Sequence, residues 1–235
     1  MNMIQGINIA DLVTWYVAFL FSFTAHEAAH AFAAMKGGDL TAYLGGQATL
    51  NPLPHIKRSP FGTVAVPLIS FFLFGWMMGW ASAPYNPEWA LRYPRRAAWM
   101  AAAGPAANLA IFVAAFVLLK FGLSAGIFVQ PDPGSLKLTS IVAPATSMWL
   151  GISKLLSIFL ILNLILFIFN LFPFPPLDGS SVITLLMSEK NAYRFTRFIN
   201  QPMYSFLGIV LAWRMFGYVF WDLFEVVLRA LYSGI

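Results

Sequence analysis

The sequence predicts an all-α polytopic membrane protein of about five to six transmembrane helices, with a small interfacial β-hairpin or strand after the first span. Three observations carry this reading. The chain is 60% hydrophobic and 10% charged, against roughly 25% charged residues in an ordinary soluble domain. Its mean hydropathy is +0.74. Its apolar residues fall into runs that reach the roughly 20 residues needed to cross a bilayer. The 235 residues suit one membrane domain, 1–235, without internal repeat or appended soluble domain.

The elements follow in order. The N-terminal "MNMIQGINIADLV" has neither a basic n-region nor a small-residue cleavage site, so the first apolar segment is expected to stay in the protein. Residues 12–35 form span one, closed by "KGGD", where glycines and charge end a helix. Residues 39–60 are too polar and too rich in Gly and Pro to cross, and read as an interfacial strand or hairpin followed by turns. Residues 61–81 form span two, with Trp76 and Trp80 suited to an aromatic belt. Residues 97–119 form span three, whose "AAAGPAANLA" holds the small residues that let helices approach closely. A loop over 120–146 precedes span four at 147–172, which stops in "FPFPPLDG". A short "SSVITLLM" helix and a last span at 203–231 complete the chain.

Charge and cysteine content narrow the partners. The net charge of +5 suits anionic headgroups of the lipid bilayer and not nucleic acid, because no basic run is interleaved with aromatic residues. The absence of cysteine removes disulfides and thiolate metal sites, so any metal must be held by nitrogen and oxygen. With five spans, Arg92, Arg95, Arg96, Lys190, Arg194 and Arg197 fall on one side and Lys36, Lys57, Arg58, Lys120 and Lys137 on the other. That balance is too even to orient the chain.

Inside span one, "HEAAH" (residues 26–30) places three ionisable groups where hydrocarbon is expected. Each costs roughly 2.5–3.5 kcal/mol at a helix centre on insertion scales. His26 and His30, four apart, share one helix face and can reach a single metal ion. Glu27 is rotated by roughly 100°, beside a metal-activated water and not on the metal, where a carboxylate acts as general base. This is zinc metalloprotease chemistry. Chance alone gives such a motif roughly once in a thousand chains of this composition. A catalytic zinc also needs a third protein ligand. Ala33 and Lys36 stand where a metzincin continuation requires Gly and His, which excludes that class. His55, Asp39, Glu88 and Asp178 remain, and Asp178 stands out at the end of an apolar span on a Pro-rich stretch able to line a cavity. The competing reading of Asp178 is a helix N-cap or an Asp-Gly turn.

The motifs "HEAAHAFAA", "GGQATLNPLPHI", "GWASAPYNP", "AAAGPAANL" and "NLFPFPPLDG", in that order, resemble the site-2 protease family of intramembrane zinc metalloproteases. The resemblance implies an integral protein of a bacterial or archaeal cell membrane that hydrolyses peptide bonds in or near transmembrane segments of membrane-protein substrates. It implies one zinc per chain held by His26, His30 and Asp178, with Glu27 as catalytic base. It also implies a substrate-binding or oxyanion role for Asn108 and Asn170; from the residues alone, asparagine among small residues in a span is equally a helix-packing group. Two departures stand out: Lys57 replaces the Asp that short family members often carry two residues after the position of His55, and there is no PDZ or CBS domain. His55 itself reads as a satisfied loop histidine.

A helical substrate must unwind before water can reach its carbonyls, and residues 43–51 could offer it an edge strand; the alternative is a hairpin that only caps the core. Two other functions compete with the active protease. One is a catalytically inactive metal-binding relative that binds membrane helices. The other is a metal transporter, which would need polar residues along a path through several spans, and these are scarce.

Overall fold

The computed structural model describes residues 8–132, 134–199 and 201–234. In chain order its helices are α1 (Ile9–Gly37), α2 (Thr41–Leu44), α3 (Pro52–Arg58), α4 (Val66–Phe74, entered through a π-turn at Phe61–Ala65), α5 (Pro87–Arg92), α6 (Pro94–Ser124), α7 (Leu150–Asn170), α8 (Asp178–Val182), α9 (Glu189–Ile199) and α10 (Pro202–Tyr232). Four of them, α1, α6, α7 and α10, are long and apolar enough to cross a membrane, and the protein is an integral membrane protein of the all-α polytopic class. A two-stranded antiparallel sheet pairs β1 (Phe128–Val129) with β2 (Ala143–Pro144).

The four spanning helices fall close to their expected places: α1, α6 and α10 run a few residues past the predicted stretch and α7 lies just within it. Asn8 accepts the Ala10 N–H at 2.9 Å at the start of α1, satisfying one of the free donors of a helix N-terminus. The core forms where α6 packs against α1 on one side and α7 on the other. Trp15 and Phe19 of α1, Leu119 of α6, and Ile158 and Ile161 of α7 are fully buried there. Small side chains on α6, among them Ala98 and Ala101, let the backbones approach, which is how helices gain packing energy when lipid is as apolar as their side chains. α10 lies at the edge, held by Phe169 of α7, whose ring meets Trp213 and Phe216 at 6.3 and 5.6 Å.

Two expectations are corrected. Residues 61–81 do not form a helix long enough to span a bilayer. The helical stretch Phe61–Phe74 spans only about 21 Å at 1.5 Å per residue, short of the roughly 30 Å hydrocarbon core, and Gly75 ends it with a φ of 76°. The chain then returns without regular structure. Trp80 N–H donates to Gly62 at 3.2 Å, Arg58 Nε donates to Ser82 at 3.0 Å, and Asn86 N–H donates to Asp39 at 2.7 Å. Both ends of the segment therefore lie on the face where α1 ends. The crossing needs glycine: a Cβ on Gly62 would strike the Trp80 carbonyl, and one on Gly79 would strike the Gly62 carbonyl and the Phe19 ring.

Residues 39–60 are likewise helix, turn and helix, with no strand. Where the strand was expected, at 43–51, the chain ends α2 and then turns; just beyond it Asn51 accepts the Leu53 N–H at 3.0 Å and Pro52 opens α3, a cap and first-turn pair that starts a helix where turns were expected. The sheet lies instead on the opposite face, in the loop between α6 and α7. Trp89 Nε1 and Arg96 donate to the Gly37 carbonyl, each at 3.1 Å, joining the end of α1 to α5 and the start of α6. Asp11 pairs with Lys154 at 2.5 Å, joining the starts of α1 and α7 on the other face.

Candidate metal centre

His26 and His30 lie one turn apart on the buried face of α1, and the chain after α7 brings Asp178 to them as the first residue of α8. His26 Nε2 and His30 Nε2 are 2.9 Å apart. Asp178 Oδ2 is 3.2 Å from the first and 3.4 Å from the second. The N-cap of α8 is Leu177, with Asp178 one residue inside the helix, so the competing reading of Asp178 as an N-cap is not what the fold uses. Its Oδ2 is buried and has no hydrogen-bond partner.

Each imidazole is fixed by its other nitrogen. His26 Nδ1 lies 2.6 Å from Asn108 Oδ1, and His30 Nδ1 lies 2.8 Å from the Met100 carbonyl. A carbonyl oxygen can only accept, so His30 carries its proton on Nδ1 and turns its Nε2 lone pair inward. The same holds for His26 when Asn108 presents its oxygen. Two nitrogen lone pairs and a carboxylate oxygen then converge with nothing to share among them. Such donor atoms could hold a cation, and these three residues are the candidate metal group among the described residues.

Helix α6 closes one wall at Gly104. A Cβ there would overlap His30 Nε2 and come within 2.6 Å of His26 Nε2, so the glycine of "AAAGPAAN" makes room for the histidines. Glu27 is 4% exposed, its Oε2 unpartnered. It faces a cavity of about 380 Å³ together with His26, His30 and Asp178. Irregular backbone from Gly79 to Ala83, with Tyr85, forms one wall, and Leu166, Phe169 and Asn170 form another. Non-helical chain at membrane depth is tolerated where it lines a cavity in this way.

The other expected site residues separate. Asn170 lines the cavity, its Nδ2 donating to Leu166 at 2.9 Å within α7. Asn108 does not: it is 0% exposed and both ends of its amide are engaged inside the bundle. Its place is behind His26, outside the lining of the cavity. His55 is buried with its Nε2 3.1 Å from the Thr49 carbonyl, a satisfied histidine as expected, although it sits in α3 and not in a loop. Asp39 accepts from Thr41 N–H at 3.0 Å and from Asn86 N–H at 2.7 Å, and Glu88 is exposed in the first turn of α5. None of these three joins the histidines. Residues 43–51 miss the cavity as well, since Gly45, Gln47 and Asn51 border a separate depression. The sequence reading overlooked Asn163 and Ser22, which bond to each other and to Asn108. A lone asparagine in the apolar run of α7 was the available signal, because a polar group at that depth needs a partner.

The model of Peptidase family M50 matches residues 14–212. The Bacillus subtilis (strain 168) protein named "Putative zinc metalloprotease YwhC" is 33% identical over 209 residues, covering 88% of this chain and 84% of that protein. No solved structure matches the chain. With the match extending from α1 into α10, the resemblance carried by the five motifs is borne out, and the chain belongs to Peptidase family M50.

Proposed function

We propose that the protein is an intramembrane zinc metalloendopeptidase that hydrolyses peptide bonds in or near transmembrane segments of other membrane proteins. The observation that carries the reading is the convergence of His26 Nε2, His30 Nε2 and Asp178 Oδ2 within 3.4 Å, opening on a cavity that also holds an unpartnered glutamate. Nitrogen and oxygen donors in a two-His, one-carboxylate set suit zinc, with a position left for water. When bound, zinc supplies Lewis acidity, bringing the pKa of a water to about 7 and polarising a peptide carbonyl.

The chain's own residues do the rest. His26, His30 and Asp178 hold the ion, and Met100 and Asn108 fix the two imidazoles. Glu27 takes the proton from the attacking water and returns it to the leaving amine nitrogen. Asn170, on the cavity wall, offers its amide to the unwound substrate chain. The apolar walls keep bulk water from the reaction.

Orientation follows from the doubled-back segment. With residues 61–86 entering and leaving on one face, Lys36, Lys57, Arg58, Arg92, Arg95, Arg96, Lys190, Arg194 and Arg197 gather there, against Lys120, Lys137, Lys154 and Arg229 opposite. Cationic loops stay in the cytoplasm, so the metal centre lies toward the cytoplasmic side of a cell membrane. The test of the activity is Glu27→Gln in vesicles with a single-span membrane protein as substrate. The variant keeps its zinc and loses cleavage by at least about 100-fold; cleavage at the parent rate would remove Glu27 from the reaction.

A further inference from the structure

We propose that Asn163, a residue of α7 that touches neither the cavity nor the candidate ligands, locks the amide of Asn108 and thereby keeps a proton on His26 Nδ1 and the Nε2 lone pair aimed at the cluster. The consequence for metal binding rests on the proposed zinc centre, but the geometry of the lock does not.

The argument runs outward from His26 and is fixed at its far end. Asn163 Nδ2 lies 3.0 Å from the Phe159 carbonyl and 2.9 Å from Ser22 Oγ. The Phe159 carbonyl only accepts, so the NH₂ of Asn163 must face it, and its Oδ1 must face the other way. That Oδ1 is 2.9 Å from Asn108 Nδ2, which forces the amide of Asn108 to present its own oxygen to His26 Nδ1 at 2.6 Å. An oxygen there cannot donate, so the proton must sit on Nδ1. Turning either amide over would place donor against donor or acceptor against acceptor in a fully buried chain, at the cost of an unsatisfied polar pair. Asn108, Ser22 and Asn163 are each 0% exposed, so bulk water does not reach them to supply the missing partner. Three helices, α1, α6 and α7, thus agree on one arrangement of protons. His30 needs no such relay, because a main-chain carbonyl, which cannot turn over, holds its Nδ1 directly.

Asn163 is a positioning residue in this account, and one pair of variants separates that role from packing. Asn163→Leu keeps the volume but leaves nothing to hold the Asn108 amide. Asn163→Asp keeps an oxygen to accept from Asn108 and, in its protonated form, a donor for the Phe159 carbonyl. Zinc affinity is measured on the full-length protein by competition with a chromophoric chelator. The account expects about a tenfold loss in the Leu variant, at the lower end of the effect of removing a group that orients a metal ligand, and a value within about threefold of the parent in the Asp variant. A packing role predicts the reverse, since leucine is the easier guest between membrane helices. Equal affinity in parent and Leu variant, or a greater loss in Asp than in Leu, overturns the inference.

The second readout needs no metal. The chain has three histidines, so ¹⁵N-histidine resonance spectra of chelator-treated protein can be assigned by single substitutions. The expected result is a His26 Nδ1 that carries a proton in the parent and is partly bare in Asn163→Leu. A bare Nδ1 in the parent refutes the lock. A protonated Nδ1 in a parent that binds no zinc would sink the metal reading and leave the lock standing.

Discussion

Asp178 Oδ2 lies 3.2 Å from His26 Nε2, although α6 and α7 intervene between them in sequence. That meeting completes the candidate ligand set. α1 carries two histidines and a glutamate into the bundle, where each would be costly alone, and the irregular chain after α7 returns a carboxylate to the same point. The helices between them are shaped to permit it, with Gly104 cleared of side chain beneath the histidines.

Gly104→Ala tests that clearance. The added methyl overlaps the imidazole nitrogens, so the histidines must leave their positions or α6 must back away, at about 1–3 kcal/mol for an overpacked core. The expected outcome is a folded protein with a lower melting temperature in detergent and at least about tenfold weaker zinc binding. Zinc affinity equal to the parent's would show that the histidines do not need the gap.

The doubled-back segment predicts a labelling pattern. Because the chain lacks cysteine, single cysteines can be introduced without background. Cysteines at Arg58 and Glu88 react with a membrane-impermeant reagent from the same side of oriented vesicles, and a cysteine at Ser135 reacts from the other. Labelling of positions 58 and 88 from opposite sides would restore a full span at 61–81 and contradict the fold.

Asp39 ties the end of α1 to the returning segment. Burial raises its carboxyl, but the Thr41 hydroxyl, the Asn86 N–H and the Thr41 N–H stabilise the charged form more, and the pKa falls below the ordinary 3.8. A lowered folded value means stability that is fully present above the unfolded pKa and is lost as pH falls through the folded one. Asp39→Asn sets an amide NH₂ against N–H donors and is expected to cost about 1.5–3 kcal/mol at neutral pH, with the deficit shrinking below pH 3.8. Thermal unfolding in detergent across the acid range checks it; a deficit independent of pH would assign the loss to packing.

Much of this was legible in the chain. The spans α1, α6, α7 and α10 declared themselves by hydropathy, and the spacing of His26, Glu27 and His30 declared a metal face, because both signals are local. What failed was what hydropathy cannot see. A segment that enters and returns has the same composition as one that crosses, and only Gly62 and Gly79, where the backbones touch, distinguish the two. At 43–51 the chain ends α2 and turns instead of forming a strand, and "NPLPH" at 51–55, with an Asn cap and a Pro at the first helical position, was a local helix signal that went unread. Asp178 was left open by spacing because its partners lie about 150 residues away, and Asn163 was missed because its meaning depends on two other helices.

The central claim is that His26, His30 and Asp178 together hold one zinc, and elemental mass spectrometry of the purified protein tests it without a substrate. The account predicts one zinc per chain in the parent, and loss or sharp weakening in both His26→Ala and Asp178→Ala, with Asn170→Ala retaining it. A full complement of zinc in Asp178→Ala, or none in a parent prepared without chelator and offered the metal, would contradict it.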